Sequence, residues 1–218
     1  MNKNEITLED FKLILKNVRE DINNNVKYLC ELDSVIGDGD HGTTISKGIN
    51  NAIKQIEIDN PSNISDLLST AGNSIIDTVG GVSGVVFGSL FVAMGEAIST
   101  NISAVGLTEL NEMFEKALDV SMTIGKGAAP GEKTMVDALY PAVQSLKKSA
   151  SDTITLDIAL GNMAEAALEG AVSTKDMIAT KGRARYLGDR SVGFQDPGAT
   201  SMAIIIKAFS SIFKWNIF

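Results

Sequence analysis

Asp33, Asp38 and Asp40 fall in one short stretch that also carries His41, the single histidine of the chain. Gly37, Gly39, Gly42, Thr43 and Thr44 fall in the same twelve residues, 33–44. Carboxylates repel one another, so a cluster this dense asks for positive charge among them. Hard divalent cations with oxygen ligands, Mg²⁺ or Ca²⁺, suit it. The glycines predict a loop, because each permits backbone angles that other residues avoid. An EF-hand also opens with spaced Asp residues, but its twelfth position is a bidentate Glu. Counting from Asp33 reaches Thr44 and from Asp38 reaches Ile49, so this is not an EF-hand. Mg²⁺ keeps waters and shares its shell with phosphate oxygens, so carboxylates beside a Gly/Thr-rich turn predict a metal–phosphate site. A bare Asp-x-Asp equally suits an acidic, solvated loop. The added His, Gly and Thr residues favour the site.

The elements that must position this stretch read as helix after helix. Thr7, with Asp10 three residues on, forms an approximate capping box. Phe11, Ile14, Leu15, Val18, Ile22, Val26 and Leu29 then recur at helical spacing, which predicts one helix to about Leu32, with the acidic loop after it. Further helices are expected over about 41–57, 64–78, 108–124, 132–149, 155–173 and 198–214. The apolar run that follows Gly80-Gly81-Val82-Ser83-Gly84 extends to Ile98. Its length favours a helix over a buried strand, although Val85-Val86-Phe87 and Leu90-Phe91-Val92 are strand formers. Gly84, Gly88 and Gly95 share nearly one face of it and would admit a neighbouring helix closely. The stretch Lys175–Pro197 reads as irregular. No strand alternates with helix, so an all-α fold follows, in a single domain spanning 1–218.

Residues 37–44, 80–84, 125–134 and 193–201 are rich in glycine, and each precedes a predicted helix. A helix N-terminus offers unpaired N–H groups and the positive end of the dipole, which favour phosphate. In an up-and-down bundle alternate connections lie at one end. The four segments should therefore converge on one composite site. Known nucleotide motifs fail: the run Gly127 to Thr134 looks like a Walker A, but Glu132 separates Gly131 from Lys133 and no strand precedes it.

Composition sets the outer bounds. With 218 residues, 44% of them hydrophobic, a sizeable core can be buried. A net charge of −8 disfavours nucleic acid and anionic membrane as partners. The single Cys30 fits a reducing compartment, and Met1–Asp10 lacks the apolar core of a signal peptide. The apolar runs Gly84–Gly95 and Ala199–Ile206 are too short to span a bilayer. The expected location is cytoplasmic.

GDGDHG, GGVSG, PGEKTM and GRARYLGDRSVGFQDPGATS, in this order, resemble the nucleotide-binding L subunit of bacterial dihydroxyacetone kinase over essentially the whole chain. The resemblance implies a closed barrel of eight antiparallel helices with ADP or ATP and two Mg²⁺ ions at one end. It implies that a phosphohistidine protein of the phosphotransferase system recharges bound ADP. The ATP formed would phosphorylate dihydroxyacetone on a separate K subunit. By motif, Asp33, Asp38 and Asp40 would hold Mg²⁺. His41, Gly42, Thr43 and Thr44 would contact phosphates, with Val82 and Ser83 beside them. Gly125, Gly127 and Met135 would line the nucleoside region, completed by Arg183, Asp196, Pro197 and Gly198. Phosphoryl transfer needs mainly positioning and charge neutralisation, so the chain needs no nucleophile of its own; Arg183 is the one catalytic candidate. A phosphohistidine at His41 is disfavoured against a role in orienting phosphate. Other readings stay open: an ATP-dependent short-sugar kinase subunit, a nucleotide-sensing module that docks a transcription regulator, or a helical domain that binds only Ca²⁺.

Overall fold

The computed structural model describes residues 4–124, 127–152 and 154–213. The chain enters through a two-residue strand, β1 (Ile6–Thr7), paired antiparallel with β2 (Ala104–Val105), Ile6 facing Val105. This ladder was not expected, since two residues carry no period-2 pattern. Thr7 then caps α1 (Leu8–Asn24) in the anticipated capping box: Asp10 N–H donates to its hydroxyl, and Thr7 N–H donates to the Asp10 carboxylate at 2.8 Å.

The single helix expected up to Leu32 is in fact two. α1 stops at Asn24, and α2 runs from Val26 to Ile36. Asn25 causes the break, with φ −106° and ψ 6° and its Nδ2 donating to the Asp21 carbonyl at 2.7 Å. An Asn side chain that bonds nearby backbone competes with the helix in this way. The correction matters for function, because Asp33 lies in α2 and not in the loop, which shrinks to Gly37–Asp40.

Next come α3 (His41–Asp59), α4 (Ile64–Thr78), α5 (Gly81–Glu96) and α6 (Leu107–Ile124). The apolar run is thus helix, as expected. α7 (Val136–Ser151) begins four residues later than expected at Glu132. Gly131 and Lys133 both have positive φ, 92° and 61°, which no α-helix contains. α8 (Leu156–Ser173) and α9 (Pro197–Ser210) complete the set. The stretch between them is more ordered than expected. It holds 3-10 helices at Thr174–Asp176 and Ala184–Ser191, the second kinked at Gly188. The last helix ends in a further 3-10 turn, Ser211–Phe213.

Taking α1 and α2 as one broken member, each helix packs on its successor, and α9 returns to pack on α1. The described helices therefore form a closed ring, an all-α barrel. One continuous apolar core fills it. Phe209 of α9 sits at its centre, edge-on to Phe11 of α1 (centroids 6.3 Å) and to Phe114 of α6 (5.1 Å). Among the described residues no helix is long and apolar enough to cross a membrane.

The close packing of α4 on α5 depends on two glycines. A Cβ on Gly88 would stand 2.5 Å from the Gly72 carbonyl oxygen, and one on Gly72 would stand 2.4 Å from that of Gly88. Gly88→Ala should therefore force the helices apart and cost about 1–3 kcal/mol, the usual range for overpacking. Thermal melting of the variant should show a drop of several degrees; an unchanged melting temperature would mean that the pair yields easily.

Candidate metal and phosphate site

The connections α2–α3, α4–α5, α6–α7 and α8–α9 gather at one end of the barrel. Direct contacts join three of the glycine-rich segments, and the fourth leads into α5, whose Phe87 reaches the group. His41 Nε2 lies 2.9 Å from Ser201 Oγ of α9, and its ring centroid is 6.0 Å from that of Phe87. Lys133 Nζ donates to the Phe194 carbonyl. A Cβ on Gly198 would stand 3.7 Å from Met135 N. The convergence expected from alternate connections is realised.

Asp33, Asp38 and Asp40 offer carboxylate oxygens that all lie within 4.8 Å of one another. Asp33 is buried at 8% exposure, while Asp38 and Asp40 are exposed. Asp33 Oδ2 accepts the N–H groups of Asp40 (3.0 Å) and His41 (3.2 Å), so the last turn of α2 is tied to the start of α3. Gly37 makes this possible: a Cβ there would stand 2.1 Å from Asp33 Oδ1. Gly42 sits equally tightly, its absent Cβ 2.1 Å from the Val26 carbonyl oxygen. Asp38 pairs with the Arg183 guanidinium, the sole cation bonded to the cluster among the described residues. All-oxygen donors, two of them open to solvent, suit a hard divalent cation that keeps part of its water.

The N-termini of α3 and α5 flank the cluster side of this end. Neither N-cap, Asp40 or Gly80, makes a side-chain cap bond; His41 N–H is taken by Asp33, so the N–H groups of Gly42 and Thr43 in α3 and of the first turn of α5 are available to an anion. A Cβ at Gly80, Gly81 or Gly127 would meet nothing within 4 Å, so these backbones face open space. α9 differs, because Asp196 Oδ2 already accepts Ala199 N–H at 2.7 Å. Asp196 and Pro197 are buried and serve the start of α9, which leaves Gly198 nearer the surface. Thr43 Oγ1 donates to the Asp40 carbonyl at 2.8 Å, so the N–H of Thr43 rather than its hydroxyl is offered outward. Ser83 is exposed on the first turn of α5, Thr44 is partly buried on α3, and Met135 is buried at the head of α7. Gly125 and the side chain of Val82 lie outside the described residues.

Burial pushes the His41 imidazole below its ordinary value, while Asp33 and Asp40 pull it back up. Ser201 Oγ lies 3.0 Å from the Gly198 carbonyl and 2.9 Å from His41 Nε2, which holds the ring in place. This contact suits orientation better than covalent chemistry.

Three residues that the sequence did not single out also build the site. Lys133, 1% exposed, donates through Nζ to the carbonyls of Thr174 and Phe194. Burial lowers its pKa, and Asp196, Asp137 and Asp176 offset this. Glu132 accepts Ala129 N–H at 2.8 Å and Thr180 Oγ1–H at 3.1 Å. The Ala129 bond, foremost, and then Thr180 and Lys181 hold its carboxyl below the usual range. Ser201 orients His41. Lys133 had a signal in PGEKTM, but it was visible only as a failed Walker A.

Asp196 is buried, and burial pushes its carboxyl up to about 7, against the Ala199 N–H and Lys133. Its folded pKa thus lies above the unfolded value, so the stability it lends is complete below about pH 4 and is lost as pH rises through about 7. The depressed His41 works in the opposite direction, so the comparison of variants is the readout. Asp196→Asn retains an oxygen for Ala199 N–H and should flatten the stability decline between about pH 4 and 7. Urea unfolding of both proteins across that window checks it; parallel pH profiles would refute it.

Comparison with known proteins agrees with this geometry. A family model described as a DAK2 domain matches residues 35–211. The chain is 38% identical over 181 residues to the ADP-binding subunit DhaL of the PEP-dependent dihydroxyacetone kinase of Escherichia coli, covering 83% of this chain and 85% of that protein. It is 40% identical over 195 residues to the corresponding subunit of dihydroxyacetone kinase 1 of Listeria innocua, covering 89% and 91%. The crystal structure of the dihydroxyacetone kinase from C. freundii in complex with AMP-PNP and Mg²⁺ superposes with a TM-score of 0.67 at 25% identity. That match covers 91% of this chain and 33% of the longer kinase chain. The chain therefore belongs to the dihydroxyacetone kinase family of DAK2 domains.

Proposed function

We propose that this chain is the Mg-nucleotide subunit of a dihydroxyacetone kinase, and that its bound ADP is recharged by a phosphohistidine protein and passes phosphate to dihydroxyacetone on a separate K subunit. The observation that carries the reading is the Asp33–Asp38–Asp40 cluster, with oxygens within 4.8 Å of one another, beside two uncapped helix N-termini. Asp33, Asp38 and Asp40 would hold Mg²⁺, two ions in the fullest form of the reading. Mg²⁺ would neutralise charge on the transferred phosphoryl group. The N–H groups of Gly42 and Thr43 and the first turn of α5, at Val82 and Ser83, would receive phosphate oxygens, with His41 and Thr44 beside them. Gly125, Gly127, Met135 and Gly198 would border the nucleoside, with Asp196 and Pro197 shaping that wall from beneath. Arg183 would move from Asp38 to the phosphates. Its present pair is largely exposed, and such pairs are worth about 0–1 kcal/mol, so the exchange is easy.

The phosphohistidine donor is favoured by similarity to subunits named as PEP-dependent, matched over most of their length. The similar proteins are named as subunits and are matched over 85% and 91% of their own length, so the acceptor sugar would be held by a separate K subunit and selected there. The net charge of −8 disfavours nucleic acid and anionic membrane as partners, and the reading places the subunit in the cytoplasm. A transcription regulator is a further docking partner to be tested with the same complex.

Asp38→Asn and Asp40→Asn should each weaken Mg-ADP binding at least about tenfold, or about 1.4 kcal/mol, with the fold intact. Gly37→Ala should do the same by displacing the Asp33 carboxylate. Calorimetric titration decides, and unchanged affinity in all three would sink the metal assignment. The chain alone should leave dihydroxyacetone unphosphorylated, and turnover should appear when a K subunit and a phosphohistidine donor are added. Turnover without them would overturn the subunit reading; binding Ca²⁺ but no nucleotide would favour a structural calcium domain.

A further inference from the structure

Thr174 and Phe194 stand twenty residues apart, yet one buried ammonium, Lys133 Nζ, donates to both of their carbonyls. Two more bonds close the same neck. Gly193 N–H donates to the Lys175 carbonyl at 2.7 Å, and Asp196 N–H donates to Thr174 Oγ1 at 2.9 Å. The residues between form a surface loop with adjacent ends and its own packing, as Ω-loops have. Ala179, Ala184 and Leu187 pack with Ile36 of α2 in a cluster apart from the main core. Arg183, on this loop, reaches Asp38.

Lys133 holds its place at some expense. It is one of two non-glycine residues with positive φ among those described, a conformation that is strained and persists where the surroundings over-determine it. A buried lysine is also expensive unless well bonded. Buried Asp196 and Asp137 beside the ammonium offset part of the second cost. Both costs are explained if the loop must be held at one setting over the acid cluster.

We propose that Lys133 is a positioning residue, which pins the neck of the 174–194 loop so that Arg183 is delivered to the metal–phosphate site. The delivery of Arg183 to a nucleotide rests on the function proposed above; the pinning of the loop does not. Two measurements separate these. Hydrogen exchange on the chain without metal or nucleotide tests the pinning. Lys133→Met should raise exchange across residues 177–193 at least about tenfold while the barrel helices keep their protection. Lys133→Arg, which can also donate to two carbonyls, should restore most of it.

Calorimetric titration with Mg-ADP then tests the delivery by a double-mutant cycle. Lys133→Met should weaken binding about tenfold in the natural chain and hardly at all when Arg183→Ala is already present. Equal losses in both backgrounds would show that Lys133 merely supports the fold. Unaltered loop exchange would overturn the pinning itself. If the natural chain binds no Mg-ADP, the proposed function fails, while the exchange result still decides the role of Lys133 in the loop. Should Lys133→Met not fold, Thr174→Val loosens the same neck without unpairing a buried charge. The cycle of Thr174→Val against Arg183→Ala then decides in the same way.

Discussion

Three carboxylates crowded within 4.8 Å of one another are the constraint on which this end of the barrel depends. At such distances a pair of like charges repels by about 1 kcal/mol in bulk water and by several times that near a protein surface. Each neighbouring feature lowers that energy or holds the charges against it. Asp33 is tethered by two backbone N–H groups, and the uncapped starts of α3 and α5 point positive dipole ends toward this region. Arg183 supplies the one full positive charge bonded to the group among the described residues. These interactions reduce the repulsion without removing it. The remaining deficit of positive charge is what would give a divalent cation its affinity here.

Rigidity comes from apolar packing that never touches the chemistry. The closed ring around Phe11, Phe114 and Phe209 fixes where the helices end, and their ends fix the backbone N–H groups. The break at Asn25 has the same purpose at finer scale. A straight continuation of α1 would carry residue 33 along its axis, whereas the break lets α2 set its last turn against the start of α3. The fit is tight enough that Gly37 and Gly42 cannot carry side chains.

The sequence announced most of this, and what it hid has physical reasons. Helical periodicity located α3, α4, α5, α6 and α8 because each buries one regular face, or every face in α5. The grouping of Asp33, Asp38 and Asp40 was legible because they fall so close together in the sequence. The break at Asn25 was not legible, since the apolar spacing runs on through Val26 and Leu29 across it. The late start of α7 depends on a side chain reaching backward: Asp137 accepts Gly131 N–H and Thr134 N–H, a tertiary-like bond with no periodic trace. Lys133 was hidden by its type. A lysine in a glycine-rich turn reads as solvated, and only its position in space shows it buried between two carbonyls.

The two halves of the site are held by interactions of opposite character. Asp33 and Asp40 stand at helix ends fixed by the core, and Asp38 stands in the short loop between them. Arg183 stands on a loop held by a buried ammonium at its neck and a small apolar cluster on its flank, while its own bond to Asp38 is exposed and weak. A firm neck with a weak tip lets a guanidinium exchange one anion for another without unfolding anything. Under the proposed function, phosphoryl transfer would ask for this division: the groups that hold the metal would stay fixed, and the group that meets the transferred phosphate would follow it.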